Sequence, residues 1–339
     1  LSTPTASQWM PARIQLDTDY TFFTKKIVKL LRCYQLNQPC VMTTKLIERP
    51  NSKLWLAAIK PPMYSVAVIP ISVGTAIAFA ETQTINSSIF STFLMSAILI
   101  IAWLNLTNDV FDSETGIDKN KAHSLVNLTG NKALIFWLAN LFLALGVSGI
   151  CAISWWQKDP TVILLVVLCC ALGYTYQGPP FRLGYQGLGE FICFFTFGPL
   201  ALAAAYYSQT QTWSATNFAA SVIVGITTSI ILFCSHFHQV ADDLAAGKKS
   251  PIVRIGTKKG ADLLQWLCGS IYALTVLFWA IGLFPIWTLL IFGSVFFAID
   301  LCRHVTDYHD QPAKVSNCKF IAVTLHFCSG VLLGLGFVL

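Results

Sequence analysis

Four of the chain's 16 acidic residues fall in one stretch, Asn108-Asp109-Val110-Phe111-Asp112-Ser113-Glu114-Thr115-Gly116-Ile117-Asp118. On a helix Asn108 and Asp112 share a face at i and i+4, with Asp109 beside Asp112 at i+3. Gly116 allows a sharp exit that returns Asp118 toward the same spot. Carboxylates packed this closely repel one another and call for a cation. An oxygen-only donor set suits Mg²⁺, which takes one or two carboxylates and completes its shell with phosphate and water. The candidate metal ligands here are Asn108, Asp109, Asp112 and Asp118.

A second stretch, His236-Phe237-His238-Gln239-Val240-Ala241-Asp242-Asp243, repeats the pattern. Gln239 and Asp243 stand at i and i+4, an amide paired with a carboxylate, and form a second candidate oxygen site. His236 and His238 lack the further His or Cys ligands that zinc requires. They are expected to donate to phosphate or to line a cavity. Lys119, Lys121 and His123 follow the first stretch, Lys248 and Lys249 follow the second, and Arg182 lies between the two. Two metal ions with Lys and Arg donors would neutralise a diphosphate and make it a leaving group. A third segment, Tyr174-Thr175-Tyr176-Gln177-Gly178-Pro179-Pro180-Phe181-Arg182-Leu183-Gly184-Tyr185-Gln186-Gly187-Leu188-Gly189-Glu190, is too rich in Gly, Pro and Tyr for a plain connector. Prolines fix a turn, glycines permit close approach, and tyrosine faces stabilise a cation.

These stretches follow long apolar runs. The chain has 339 residues, 55% of them hydrophobic and 11% charged. Soluble domains carry about 25% charged residues. Apolar segments near 62–80, 88–107, 133–156, 160–176, 190–207, 217–237, 262–283, 285–302 and 318–339 predict about nine transmembrane helices, an all-α polytopic membrane protein. The loops after helices two, four, six and eight carry Lys119, Lys121, Arg182, Lys248, Lys249, Arg254, Lys258, Lys259, Arg303 and Lys314, whereas Lys158 is the one basic residue in the others. The positive-inside rule then puts the N-terminus and every chemically interesting loop in the cytoplasm, and the C-terminus outside. An echo links the two halves: Asp118, Lys121, Ser124, Val126 and Gly130 correspond to Asp243, Lys249, Ser250, Val253 and Gly256. It predicts two pseudo-repeated helix bundles around a central cavity.

The net charge of +6 comes without a basic stripe, so no nucleic-acid partner is expected, and no obligate protein partner is inferred. The eleven cysteines are scattered through apolar runs and read as small buried hydrophobes. Residues 1–41 are polar, without an acidic cluster or membrane-length run, and are expected to be dispensable. Residues 42–54 read as a short cytoplasmic segment before the membrane domain, 55–339. Acidic residues lining an ion path would suit a transporter, but transport sites sit near the midplane and these lie at helix ends.

At the three chemical segments the chain resembles the UbiA superfamily of intramembrane aromatic prenyltransferases, across residues 50–339. Asn108–Asp112 matches the N-D-x-x-D form. The Tyr174–Glu190 segment resembles the dihydroxynaphthoate branch, and Lys60-Pro61-Pro62-Met63-Tyr64-Ser65-Val66-Ala67, Asp118-Lys119-Asn120-Lys121 and Ser235–Val240 resemble its cyanobacterial and plastid members. Gln239 departs from the wider D-x-x-x-D form of the second site. The resemblance implies Mg²⁺-dependent transfer of phytyl from its diphosphate to 1,4-dihydroxy-2-naphthoate, with loss of carbon dioxide and diphosphate, in phylloquinone (vitamin K1) or menaquinone biosynthesis. Homogentisate phytyltransferase and chlorophyll synthase are the alternatives within the superfamily. It also implies a cyanobacterial plasma or thylakoid membrane, or a plastid membrane. The expected catalytic set is Asp112, Asp243, Lys121, Arg182 and Tyr174. Lys60, Lys119, Lys121, Arg182, Lys248 and Lys249 are expected on the diphosphate, and Tyr174, Tyr176, Tyr185, His236 and His238 in the substrate pocket.

Overall fold

The computed structural model describes residues 59–117 and 124–339. Among them the chain is helical, with no strand. The long helices are α1 (Pro61–Thr82), α2 (Ser87–Thr115), α3 (Lys132–Gln157), α4 (Thr161–Gln177), α5 (Gly189–Thr210), α6 (Ala215–Ser235), α7 (Thr257–Ala280), α8 (Ile286–Tyr308) and α9 (Pro312–Val338). Eight of them are long and apolar enough to cross a membrane, and α4 is a shorter apolar helix. A helix is the form such runs must take, because hydrocarbon offers backbone N–H and C=O groups no partner outside the segment. Side chains of Asn86, Asn131 and Ser214 cap α2, α3 and α6 by accepting from Ile89, Leu134 and Asn217 amides.

Two boundaries differ from the sequence expectation. α2 continues past residue 107 to Thr115, so Asn108, Asp109 and Asp112 are carried on the helix itself. α7 begins at Thr257, where Gly256, at φ 83°, breaks the preceding short helix Pro251–Ile255.

Two apolar cores hold the helices. One joins α1, α6, α7, α8 and α9 through residues such as Ile69, Ile223, Ile230, Leu264, Leu301 and Leu333. The other joins α2, α3 and α4 through Phe93, Trp103, Ile135, Ile150 and Val166, with Ile71 of α1 and Ala204 of α5. α1 and α5 thus stand at the seam. Midway along α5 the helix widens into a π turn, Thr196–Leu200, at Pro199, which brings no N–H to the ladder.

The bundle's two ends use their acids differently. At one end Glu81 accepts from Tyr206 Oη at 2.5 Å and Ser214 Oγ at 2.7 Å, and Asp159 accepts from Tyr207 Oη at 2.8 Å. These carboxylates tie helix ends together. At the other end the acids of α2 and of the loop after α6 gather with basic and tyrosine side chains. The described cysteines are free thiols; Cys234, Cys268 and Cys318 are buried, while Cys151 is exposed. The expected division of residues 1–41 from 42–54 lies outside the described residues, as do Asp118, Lys119, Lys121 and His123.

Candidate active site

The last turns of α2 present Asn108, Asp109 and Asp112 on the helix. Their surroundings separate them. Asp109 is 1% exposed; its Oδ1 lies 2.9 Å from Lys60 Nζ and its Oδ2 accepts from the Leu125 amide at 3.0 Å. Lys60, expected on the diphosphate, is turned onto Asp109, with a left-handed backbone, φ 54°, just before α1. This pair clamps α1, α2 and the short helix Leu125–Thr129 together. Asp112 faces another way: its Oδ1 accepts from Tyr185 Oη at 3.4 Å, and that hydroxyl also meets Thr115 Oγ1 at 2.6 Å. Burial and the nearby Asp112 charge push the Tyr185 phenol up to about 12, partly offset by Thr115 and Arg182. Glu114 pairs with Lys132 at 2.6 Å and Arg182 Nη2 at 3.5 Å. Arg182 Nε is buried with no hydrogen-bond partner among the described residues, a donor left for an anion.

The second site starts where α6 ends. Gln239 precedes the short helix Val240–Ala245 and its carbonyl accepts from the Asp243 amide at 2.8 Å. Asp243 is fully buried. Its Oδ2 lies 3.1 Å from His236 Nδ1, and Lys248 Nζ is 3.5 Å from its Oδ1. Burial opposes the Asp243 carboxylate, but the His236 hydrogen bond and the Lys248 charge outweigh it and hold its pKa below the ordinary value. Burial likewise opposes the His236 imidazolium, yet the hydrogen bond with Asp243 and the nearby Glu190 charge hold it above. Glu190 is a site residue the sequence reading passed over: its Oε1 lies 3.3 Å from His236 Nε2. The available signal was an acid ending the Gly-Leu-Gly-Glu run and opening an apolar helix. Lys248, 6% exposed, also lies over the Tyr185 ring at 5.8 Å, so Asp112, Tyr185, Lys248 and Asp243 form a continuous chain between the two sites. Lys249 joins through its backbone amide, which donates to the Tyr185 carbonyl at 2.7 Å, while its side chain is exposed. His238 is half-buried beside Gln239.

The Gly-Pro-Pro segment positions the tyrosines. Tyr174 Oη donates to the Pro179 carbonyl at 2.7 Å, and its ring meets Phe111 edge-on at 5.9 Å. Tyr174 is 37% exposed and locks the turn, so the pocket wall is formed by Tyr176 instead. The Tyr176 ring is gripped by glycines. A Cβ on Gly184 would lie 2.6 Å from Tyr176 Cε2, and one on Gly189 would lie 2.8 Å from the same atom. Only residues without a side chain admit the ring here. The Tyr176 hydroxyl thereby lies within electrostatic reach of Glu190, Asp112 and Asp243.

Below these groups opens a cavity of about 180 Å³, lined in part by Asn105, Asn108, Tyr176, Cys193, Thr196 and Ser235. A deeper apolar pocket of about 60 Å³ shares its walls Val66, Ile101, Leu104, Thr196 and Phe197, and is closed by residues including Phe93, Ile150 and Val166. A polar end at Asn105, Asn108 and Ser235 therefore leads into an apolar route between helices.

The oxygen donors fit a hard cation. Among the described residues no three His, Cys, Asp or Glu side chains converge as a ready-made cage. Asp243 Oδ1 is buried and accepts no hydrogen bond among those residues. That suits Mg²⁺ held by few carboxylates, with phosphate oxygens completing its shell. Asn108, Asp112, Gln239 and Asp243 are the side chains that could hold it. The UbiA prenyltransferase family profile matches residues 67–324. The chain belongs to this family. A 2-carboxy-1,4-naphthoquinone phytyltransferase from Synechocystis sp. is 61% identical over 289 residues, covering 84% of this chain and 93% of that protein. Its chloroplastic counterpart from Arabidopsis thaliana is 44% identical over 300 residues, covering 86% and 78%. The fold matches a UbiA homolog from Archaeoglobus fulgidus bound to GPP and Mg²⁺, with TM-score 0.54, 15% identity, and 83% of this chain and 99% of that chain covered. The chain is thus an integral membrane prenyltransferase of the UbiA family, and its all-α bundle agrees with the sequence expectation.

Proposed function

We propose that this enzyme transfers a phytyl group from its diphosphate to 1,4-dihydroxy-2-naphthoate, releasing diphosphate and carbon dioxide. The observation that carries the proposal is the meeting of two oxygen-donor sites and a buried lysine above an apolar cavity. The name of the Synechocystis relative supports the naphthoate class of acceptor. The octaprenyltransferases that act on 1,4-dihydroxy-2-naphthoate in Haemophilus influenzae and Bacillus subtilis, 24% and 23% identical, support it more distantly.

In this reading Asn108, Asp112, Gln239 and Asp243 would hold Mg²⁺, and Asp118, outside the described residues, is a further candidate. Bound Mg²⁺ would supply Lewis-acid neutralisation of the diphosphate charge. Lys248 and Arg182 add fixed positive charge at the same end, assisted by Lys119 and Lys121. Tyr176 turns its ring to the cavity where the allylic carbon would lie, and its face steadies positive charge as the C–O bond breaks. The tail lies in the apolar pockets, which exclude water from that carbon. The ring carbon bearing the carboxylate attacks, and carbon dioxide leaves in place of a proton, so no strong base is required. Asp109 and Lys60 hold the helices that carry the site. Both acidic loops face the cytoplasm, which cysteine labelling of 108–131 and 238–261 from each side of the membrane would test. Placement in a cyanobacterial plasma or thylakoid membrane, or in a plastid membrane, belongs to the same reading.

The deciding assay gives purified protein phytyl, geranylgeranyl and longer prenyl diphosphates with either 1,4-dihydroxy-2-naphthoate or homogentisate. Prenylated naphthoquinol is the expected product, and phytyl the preferred donor. Efficient homogentisate prenylation without a naphthoate product would reject the proposal.

A further inference from the structure

We propose that Glu190 is a positioning residue of the second metal site, aiming the Asp243 carboxylate through His236. The inference rests on the metal reading of Asp243 given above.

Three features carry it. First, Glu190 is rigidly held. It lies in the first turn of α5, its carbonyl accepts from Ser229 Oγ of α6 at 2.9 Å, and the preceding Gly189 packs between Tyr176 and Leu232. Second, the His236 ring is engaged at both nitrogens: Nδ1 is hydrogen-bonded to Asp243 Oδ2 at 3.1 Å, and Nε2 lies 3.3 Å from Glu190 Oε1, an ion-pair contact that falls outside hydrogen-bond geometry. The His236 side chain is 3% exposed, so both contacts are shielded from bulk water. Third, the two Asp243 oxygens are treated differently. Oδ2 is committed to His236, while Oδ1 has Lys248 at 3.5 Å and no hydrogen bond among the described residues.

A carboxylate–imidazole pair behind a ligand fixes that ligand's orientation and tunes its basicity. Here the ligand behind which it stands is a carboxylate. With an amide at Gln239 in place of an acid, the aim of Asp243 carries more of the site's affinity. The chain Glu190–His236–Asp243 also links the Gly-rich segment that grips Tyr176 to the metal loop. One rigid unit thus sets both the wall of the cavity and the direction of Oδ1.

The test uses the full-length protein in lipid nanodiscs and reads metal binding directly. Mn²⁺ is titrated by EPR in the presence of a non-reactive prenyl thiolodiphosphate, beside steady-state kinetics and thermal unfolding. Glu190→Ala is expected to weaken Mn²⁺ binding about tenfold or more, the range for outer partners of metal ligands. Much of the lost turnover should return at high Mg²⁺, with the acceptor KM unmoved. Glu190→Gln keeps an oxygen for His236 and should retain most of the affinity. If Glu190→Ala unfolds, Glu190→Asp decides: the shorter arm should weaken Mn²⁺ binding to an intermediate degree. Unchanged Mn²⁺ binding in a folded variant, or a raised acceptor KM without a metal effect, would overturn the inference. Failure of the wild-type protein to bind Mn²⁺ would instead overturn the metal reading beneath it.

Discussion

Gly189→Ala puts the link between the glycine segment and the cavity to a direct test. The new Cβ would lie 2.8 Å from Tyr176 Cε2 and 3.0 Å from Leu232 Cδ2, where ordinary contact needs 3.4–4 Å. It is caught between two side chains, so moving away from one presses it on the other. The Tyr176 ring must withdraw by roughly 1 Å to restore normal contact, and overpacking of this kind costs about 1–3 kcal/mol. Removing a helical glycine returns about 0.5–1 kcal/mol, so the variant should stay folded. Its catalysis should not survive as well, because a misplacement of about 1 Å at a reacting centre can cost about 100-fold. The expected result is a fall in kcat/KM of about 10- to 100-fold with only a small loss in unfolding temperature. The assay is phytyl transfer by purified protein, with thermal unfolding measured on the same sample. Gly269→Ala on α7 is the control, since its Cβ meets nothing within 4 Å. That variant should match the wild type in rate. Wild-type turnover by Gly189→Ala would refute the argument that the glycines exist to seat Tyr176.

Asp112→Asn and Asp243→Asn are each expected to abolish transfer while leaving the protein folded in the membrane; near-normal turnover of either at ordinary Mg²⁺ would defeat its assignment as a ligand. Chelation of divalent ions should stop the reaction, and Mg²⁺ should restore it; full activity after exhaustive chelation would contradict the metal reading. Lys60→Met and Asp109→Leu should each lower stability, and their double-mutant cycle should show coupling of about 0.5–3 kcal/mol, read by denaturation in detergent. Strict additivity would mean that the 2.9 Å ion pair does not clamp α1 to α2. His236→Leu should lose the Asp243 orientation and, with it, most activity, whereas His238→Leu should be milder; equal losses would count against the bridge.

Much of the fold was legible in the sequence, since hydrocarbon forces an apolar run of spanning length into a helix. The segment pattern therefore anticipated the nine long helices among the described residues, eight of them of spanning length, and the i, i+4 spacing singled out Asn108 with Asp112 and Gln239 with Asp243 as candidates. Side-chain type alone also pointed to a hard cation, because oxygen donors were plentiful and zinc ligands were not. Spacing cannot say which way a neighbouring side chain turns. Asp109 and Lys60 looked like site residues by charge, and only packing showed that they also meet each other at the α1–α2 contact. Tyr174 and Tyr176 are two residues apart with the same chemistry, yet one locks a turn and the other walls the cavity, because Gly184 and Gly189 leave room for one ring. Glu190 and His236 stand 46 positions apart. Their contact depends on α5 and α6 meeting side by side, which tertiary packing decides and no local pattern records.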